Sequence, residues 1–169
     1  MSDNAPRKIY NEAFGCDLPF DDVLFDLLGH CIETLEKGGK TVSMLFKIPC
    51  KAVIKGISVN AYYIYAAATE KSERNKGYMR QLINKVCSES GTLFILKPAS
   101  KSLERFYASC GYKAVKATTR HNPDIYISVT EAQEKLAKIS PADCDEYTVM
   151  YRSDKFDLED GVSFSQTLE

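Results

Sequence analysis

Apolar and polar positions along the chain follow two periods in turn, and the switches between them mark out the elements. Ile9, Ala13 and Phe14 share a face at helical spacing within residues 7–15, and Gly15 ends that predicted helix. Pro19 opens a second helix over residues 19–28, where Asp21 and Asp22 suit the positive end of the helix dipole. With Asp26, these acids read first as a solvated helix face and second as the lining of a substrate entrance. Residues 30–36 alternate as a half-buried strand should, and Lys37-Gly38-Gly39-Lys40 turns the chain into a return strand over residues 41–48. Pro49 is expected to interrupt that strand, because proline donates nothing to a ladder. Residues 51–54 extend it, and Lys55-Gly56 turns into the next strand.

The middle of the chain has the clearest pattern. An apolar, aromatic strand over residues 62–69 meets a charged turn, Glu70 to Glu73. Arg74-Asn75-Lys76-Gly77-Tyr78-Met79 then runs into an amphipathic helix carrying Leu82, Ile83, Val86 and Cys87. Thr92-Leu93-Phe94-Ile95-Leu96 is apolar throughout, which predicts a strand buried on both faces. Strand, helix and strand of these lengths imply a parallel pair with a right-handed crossover, with ligands at the carboxyl ends of its strands. Ser100 is a plausible N-cap for a helix over residues 101–110, with Leu103, Phe106 and Tyr107 on one face. Gly111 ends that helix and a strand follows over residues 112–117. Beyond residue 120 the pattern weakens. We read a strand over residues 124–130, helices over 131–139 and 141–153, and an acidic tail without period over 154–169.

Composition narrows the class. A chain of 169 residues, 44% hydrophobic and 27% charged, fits one domain with a substantial core. No apolar run reaches the roughly 20 residues that span a bilayer, and the start of the chain lacks a secretory pattern, so a cytoplasmic, non-membrane protein is expected. Six cysteines without a Cys-x-x-Cys pair, and only two histidines, point to neither a zinc site nor a disulfide framework. Buried free thiols and no metal are expected. The net charge of −1 hides a partition: residues 1–36 hold eight acids and two bases, residues 37–120 sixteen bases and four acids, and residues 121–169 eleven acids and four bases. A basic middle suits a polyanionic ligand, with a cationic substrate approaching acidic surface. Nucleic acid is a weaker reading, since no aromatic or glycine motif for it interleaves the bases.

A strand, a basic glycine-containing turn and a helix start together make an anion site. The first amides of a helix lack partners and carry partial positive charge. Gly77 lets backbone approach a phosphate, and Arg74 and Lys76 add charge. Taken alone, the hexapeptide reads equally as a solvated turn. Three pieces in register change that. Ala67-Ala68-Thr69 with Arg74 to Met79 is similar to the R/Q-x-x-G-x-G/A acetyl-CoA motif of the GNAT superfamily of N-acetyltransferases. The apolar strand at residues 93–96 and the segment Phe106-Tyr107-Ala108-Ser109-Cys110-Gly111-Tyr112 resemble the family's following strand and tyrosine helix. The match covers roughly residues 7–118 and looks closest to bacterial members, some of which continue into a second such half.

The resemblance implies an α/β fold of mixed type: a central, mostly antiparallel sheet of about six strands with a splayed parallel pair, flanked by about four helices. We expect a single domain over residues 1–169, with a core at about 7–130 and a C-terminal extension over 131–169, which either completes the fold or is the remnant of a second half. Acetyl-CoA is the implied cosubstrate. The pantetheine arm would pair with Ala67, Ala68 and Thr69, and the diphosphate would lie on Arg74, Asn75, Lys76, Gly77, Tyr78 and Met79. Asn75 stands where the family often has glycine and Met79 where it usually has glycine or alanine, and a nonglycine residue is tolerable there if its backbone stays helical. Ser100, where many members carry asparagine, would touch the cofactor or only cap its helix. Tyr107 is the candidate proton donor to the leaving thiolate, and an amide near Ala67 the candidate oxyanion donor. Glu33, Glu70 and Asp26 are conceivable bases, and Tyr62, Tyr63 and Tyr65 conceivable walls of the acceptor pocket. The expected partner is a small-molecule or peptide amine, with a homodimer open. A noncatalytic acyl-CoA-binding module is the alternative to an enzyme.

Overall fold

The computed structural model describes residues 4–119, 125–127 and 147–164. Two helices lead, α1 (Ala5–Phe14) and α2 (Leu18–Leu28), each with a proline in its first turn, where a missing donor costs nothing. A 3-10 turn then enters β1 (Ile32–Lys37), which forms a hairpin with β2 (Lys40–Ile54) on Gly38 and Gly39, both at positive φ. β3 (Ile57–Thr69) pairs along the length of β2. α3 (Tyr78–Val86) crosses over to β4 (Thr92–Leu96), which runs parallel to β3, as the strand–helix–strand spacing predicts. α4 (Lys101–Ala108) and β5 (Lys113–Thr119) follow, then β6 (Ile125–Ile127), β7 (Tyr147–Arg152) and β8 (Val162–Phe164).

The sheet has eight strands in the order β1-β2-β3-β4-β7-β5-β8-β6. β6 also pairs with Cys50–Ala52 of β2, so the sheet curls back on itself. Each face is covered. On one, Ile9 and Tyr10 of α1 and Leu24 and Leu28 of α2 pack on Met44, Phe46, Tyr63 and Ile95. On the other, Leu82, Ile83 and Val86 of α3 and Tyr107 of α4 pack on Leu45, Ile64, Phe94 and Leu96. β4 is buried at every position because both cores use it.

Two expectations change. Pro49 does not interrupt β2, which runs through it. Pro49 stands in register with Tyr62 of β3, and its missing donor costs the ladder at most one bond. The predicted helix over residues 141–153 is, where described, the strand β7. It lies between β4 and β5, and Val149, Met150 and Tyr151 are consecutively buried, a pattern that periodicity cannot tell from a buried helix. The sheet is therefore not complete at residue 130, and the segment beyond 131 supplies a central strand of the fold. The predicted helix over residues 131–139 lies outside the described residues.

The acidic tail is also placed. Asp154 accepts hydrogen bonds from the Ser90 hydroxyl and the Gly91 amide, the latter at 2.8 Å. Asp157 pairs with Lys113 at 2.7 Å and Glu159 with Lys55 at 2.8 Å. Part of the basic middle is thus neutralised from within. Among the described residues no helix is long and apolar enough to cross a membrane, and no cluster of ligands suits a metal ion. Five described cysteines are free thiols, four of them buried, while Cys16 is exposed.

Candidate active site

β3 and β4 stay paired only from Asn60–Thr92 to Tyr63–Ile95. Beyond that point β4 ends at Leu96, while β3 continues to Thr69. The strands part, and a cleft of about 340 Å³ opens between them. It is lined by Tyr63 to Ala67 of β3, by Leu96 to Ala99, by Leu103 and Tyr107 of α4, and by Phe14 of α1. Tyr63 and Tyr65 belong to the α1/α2 face of the sheet, whereas Ile64, Leu96 and Tyr107 belong to the α3/α4 face. Residues of both faces therefore line the cleft. The hydroxyl of Tyr63 bonds to the Lys97 backbone just where the ladder gives out.

A bulge sits in the wall of this cleft. Two residues of β3, Ala66 and Ala67, stand opposite the single Leu45 of β2, and Ala66 takes φ +48°. Tyr65 and Ala66 consequently share a face, and Ala67 turns to the other. A left-handed alanine costs about 1–2 kcal/mol, so the surrounding pairing must hold it. Bulges re-aim backbone groups, here at the mouth of the gap.

The basic turn follows directly. Asn75 and Gly77 both have left-handed backbones, at φ +63° and +77°. Gly77 is the N-cap of α3, with no side chain capping the helix. The first intrahelical bond runs from the Gln81 amide to the Gly77 carbonyl, so the amides before it face outward without helical partners. Arg74 donates to the Thr69 carbonyl at 3.1 Å, which fixes the turn to the end of β3, and Lys76 pairs with Glu73 at 2.8 Å. The helical backbone set as the condition for a nonglycine residue is not what Asn75 adopts. It is left-handed, and asparagine is the side chain other than glycine that best tolerates this.

An open strand edge, a bulge and an uncapped helix start, all at the carboxyl end of a parallel pair, agree with the comparisons. The family described as acetyltransferase (GNAT) domain matches residues 27–115. The chain belongs to the GNAT family. No curated protein matches it in sequence. Among solved structures, a GCN5-related N-acetyltransferase from Anabaena variabilis superposes with a TM-score of 0.54 at 18% identity, covering 64% of this chain and 30% of that one. A probable N-acyltransferase from Enterococcus faecalis gives 0.51 at 17%, over 66% and 31%. A Corynebacterium glutamicum protein described as histone acetyltransferase HPA2 and related acetyltransferase gives 0.59 at 13%, over 93% and 94%. These likenesses show the fold. The present chain spans about a third of the first two structures.

Within this GNAT domain the expected residues are not all in one place. Ala67 lines the cleft; Ala68 is buried toward α1 and α2, opposite Met44, and the Thr69 hydroxyl lies 2.9 Å from that of Ser43. Tyr78 and Met79 are the first helical residues of α3. Ser100 caps α4, accepting the Leu103 amide at 3.3 Å, and its hydroxyl also meets that of Ser102. Tyr107 lies at the wall of the cleft, edge-on to Phe106 and Tyr112. Burial, reinforced by Cys110 and Cys87, pushes its phenol up to about 12, so it carries a proton at neutral pH.

The conceivable bases fare differently. None of Glu33, Glu70 and Asp26 lines the cleft. Glu70 is held by Lys40 at 2.7 Å, and Asp26 is exposed. Of the three tyrosines, Tyr63 and Tyr65 line the cleft, while Tyr62 stacks on Phe94 beneath the Lys47 ammonium. Phe14, Leu96, Lys97, Pro98, Ala99 and Leu103 also line it. Sequence reasoning placed Phe14 and Leu103 on apolar helix faces. Their exposure, 54% and 38%, marks the open rim of the cleft. Asp21, read first as solvated, is 1% exposed.

Proposed function

We propose that this GNAT domain is an acetyl-CoA-dependent N-acetyltransferase, moving an acetyl group to a primary amine of a small molecule or peptide by direct attack in a ternary complex. The observation that carries this reading is the cleft between the parted ends of β3 and β4 beside the Ala66–Ala67 bulge, lined by residues of both faces of the sheet. The diphosphate lies on the turn from Arg74 to Gly77 and the first amides of α3. The pantetheine arm pairs with the open edge of β3 as an added strand. Holding amine and thioester together supplies much of the rate. The amine nitrogen attacks the carbonyl carbon, the C–S bond breaks, and an amide near Ala67 stabilises the oxyanion. The neutral Tyr107 phenol donates its proton to the departing thiolate.

A thermal-shift series tests the binding half. Acetyl-CoA and CoA are expected to raise Tm at saturating concentration; no shift with either would sink the reading. For the chemistry, Tyr107→Phe is expected to lower kcat about a hundredfold while leaving acetyl-CoA affinity near that of the wild type. One observation favours the second reading, a noncatalytic acyl-CoA-binding module: among the described residues lining the cleft there is no carboxylate. CoA binding without acetyl transfer to any amine would establish that reading instead.

A further inference from the structure

The two faces of the sheet line the cleft with different chemistry. On the α3/α4 face stand Ile64, Leu96 and Tyr107, whose phenol serves the departing thiolate, so the thioester belongs to that side. Tyr63 and Tyr65 of the α1/α2 face, with Phe14 at the end of α1, are left for the amine. Behind them runs a row of rings. Phe14 lies 5.0 Å from Tyr10, Tyr10 5.4 Å from Phe25, Phe25 5.5 Å from Phe46 and Phe46 6.1 Å from Tyr65, centre to centre. The two end members, Phe14 and Tyr65, are the ones that line the cleft. Tilted and edge-on contacts of this kind hold ring planes in place, so the wall is formed before a ligand arrives. Charge points the same way. Residues 1–36 carry eight acids, yet among the described residues no carboxylate lines the cleft. The charged residue that does is Lys97, its ammonium 4.8 Å from the centre of the Tyr147 ring. A second ammonium on a substrate would lose hydration there without gaining a counter-ion, which is costly.

Resting on the transferase reading, we propose that the acceptor is a monoamine carried on an aromatic body, an arylalkylamine, seated against Phe14, Tyr63 and Tyr65. Polyamines, aminoglycosides and the lysine side chains of peptides are poor acceptors, the first two for their extra charges and the last for want of a ring. The amine end lies beside the Ala66–Ala67 bulge, where residues of both faces meet, and the ring end lies at the rim formed by Phe14. A substrate ring there gains buried apolar area and edge or face contacts with the wall. The cleft, about 340 Å³, is at the small end of the roughly 300–1,000 Å³ of small-molecule sites, which suits one ring on a short arm. Phe14 sets specificity: its ring meets the body of the substrate and takes no part in making or breaking bonds.

The test is a panel of amines assayed for CoA release at saturating acetyl-CoA: phenethylamine, ethylamine, spermidine, an aminoglycoside and a lysine-containing peptide. The wild type is expected to favour phenethylamine over each of the others by about a hundredfold in kcat/KM. In Phe14→Ala the ratio of phenethylamine to ethylamine is expected to fall about tenfold, through KM for the amine and not through kcat, as loss of uniform binding requires. Because Phe14 is 54% exposed, this truncation leaves the core intact, and the KM for acetyl-CoA changes less than threefold. Phe14→Glu puts a carboxylate at the rim and is expected to raise kcat/KM for spermidine about tenfold. Spermidine or the peptide used as well as phenethylamine by the wild type would overturn the aromatic preference and leave the transferase reading standing. Equal losses with phenethylamine and ethylamine in Phe14→Ala would overturn it too, since general damage gives that result. A large rise in the KM for acetyl-CoA in that variant would place the ring beside the cofactor and overturn it likewise. Acetyl-CoA binding with no acetylation of any of these amines by the wild type would overturn both.

Discussion

Three residues near the site hold left-handed backbones, and only one of them is a glycine. At Gly77 an added Cβ would meet nothing within 4 Å, so a substitution there is opposed by backbone conformation and not by a clash. Gly77→Ala is accordingly expected to cost about 1–2 kcal/mol, and Gly77→Asn less, in a denaturant titration of the free protein. Both are expected to weaken CoA binding if the turn receives the diphosphate. The sequence announced Gly77 and gave no sign of Ala66, because a run of three alanines looks the same whether it is flat or bulged. Asn75 shows the opposite case: a departure from the family pattern that the backbone explains. Asp21 was misread because two adjacent acids at a helix start are usually solvated. The fold separates the two: Asp21 is buried and Asp22 exposed.

Among elements, legibility followed burial. β4 announced itself through five unbroken apolar residues, and every one is buried. The parallel pair, its crossover helix and the start of α4 came from the same arithmetic of strand, glycine and cap. β7 is buried as deeply, but Tyr147 to Arg152 mixes β-branched, aromatic and polar residues after a proline, and the helix template fits it as well. Its true state is set by β4 and β5, which no local window contains. The cap of α4 gives a direct test of what Ser100 does. Ser100→Ala is expected to cost about 1 kcal/mol of stability, measured by chemical unfolding, with acetyl-CoA affinity changed by less than threefold. A larger loss of affinity would assign the hydroxyl to the cofactor instead of the helix.

The molecule as a whole is built around buried phenols. Desolvation lifts Tyr65 and Tyr107 to about 12, from an ordinary value of 10, and raises Tyr10, Tyr63 and Tyr112 as well. In the folded chain these groups keep protons that the unfolded chain sheds above pH 10. The unfolded state therefore binds fewer protons in that window, and stability present below it is lost as pH rises toward 12. Tm is expected to hold up to about pH 9 and then fall steeply, with the tyrosinate absorbance of these five phenols appearing in step with unfolding. At the same scale, the partition of charge along the sequence proved to be partly a folding device. The acids of the C-terminal segment meet lysines of the basic middle across the sheet.

The position of β7 bears on how the chain is made. A polypeptide leaves the ribosome amino end first, and β4 emerges with β3 available on one edge only. Its other neighbour, in which Arg152 lies against Phe94, is translated about fifty residues later. Until then the nascent chain carries an apolar strand with bare amides, the kind of edge that recruits chaperones or a second copy of itself. Joining β4 to β7 is thus expected to come after β3 and β4 pair, deferred by distance along the chain rather than by any weakness of the contact.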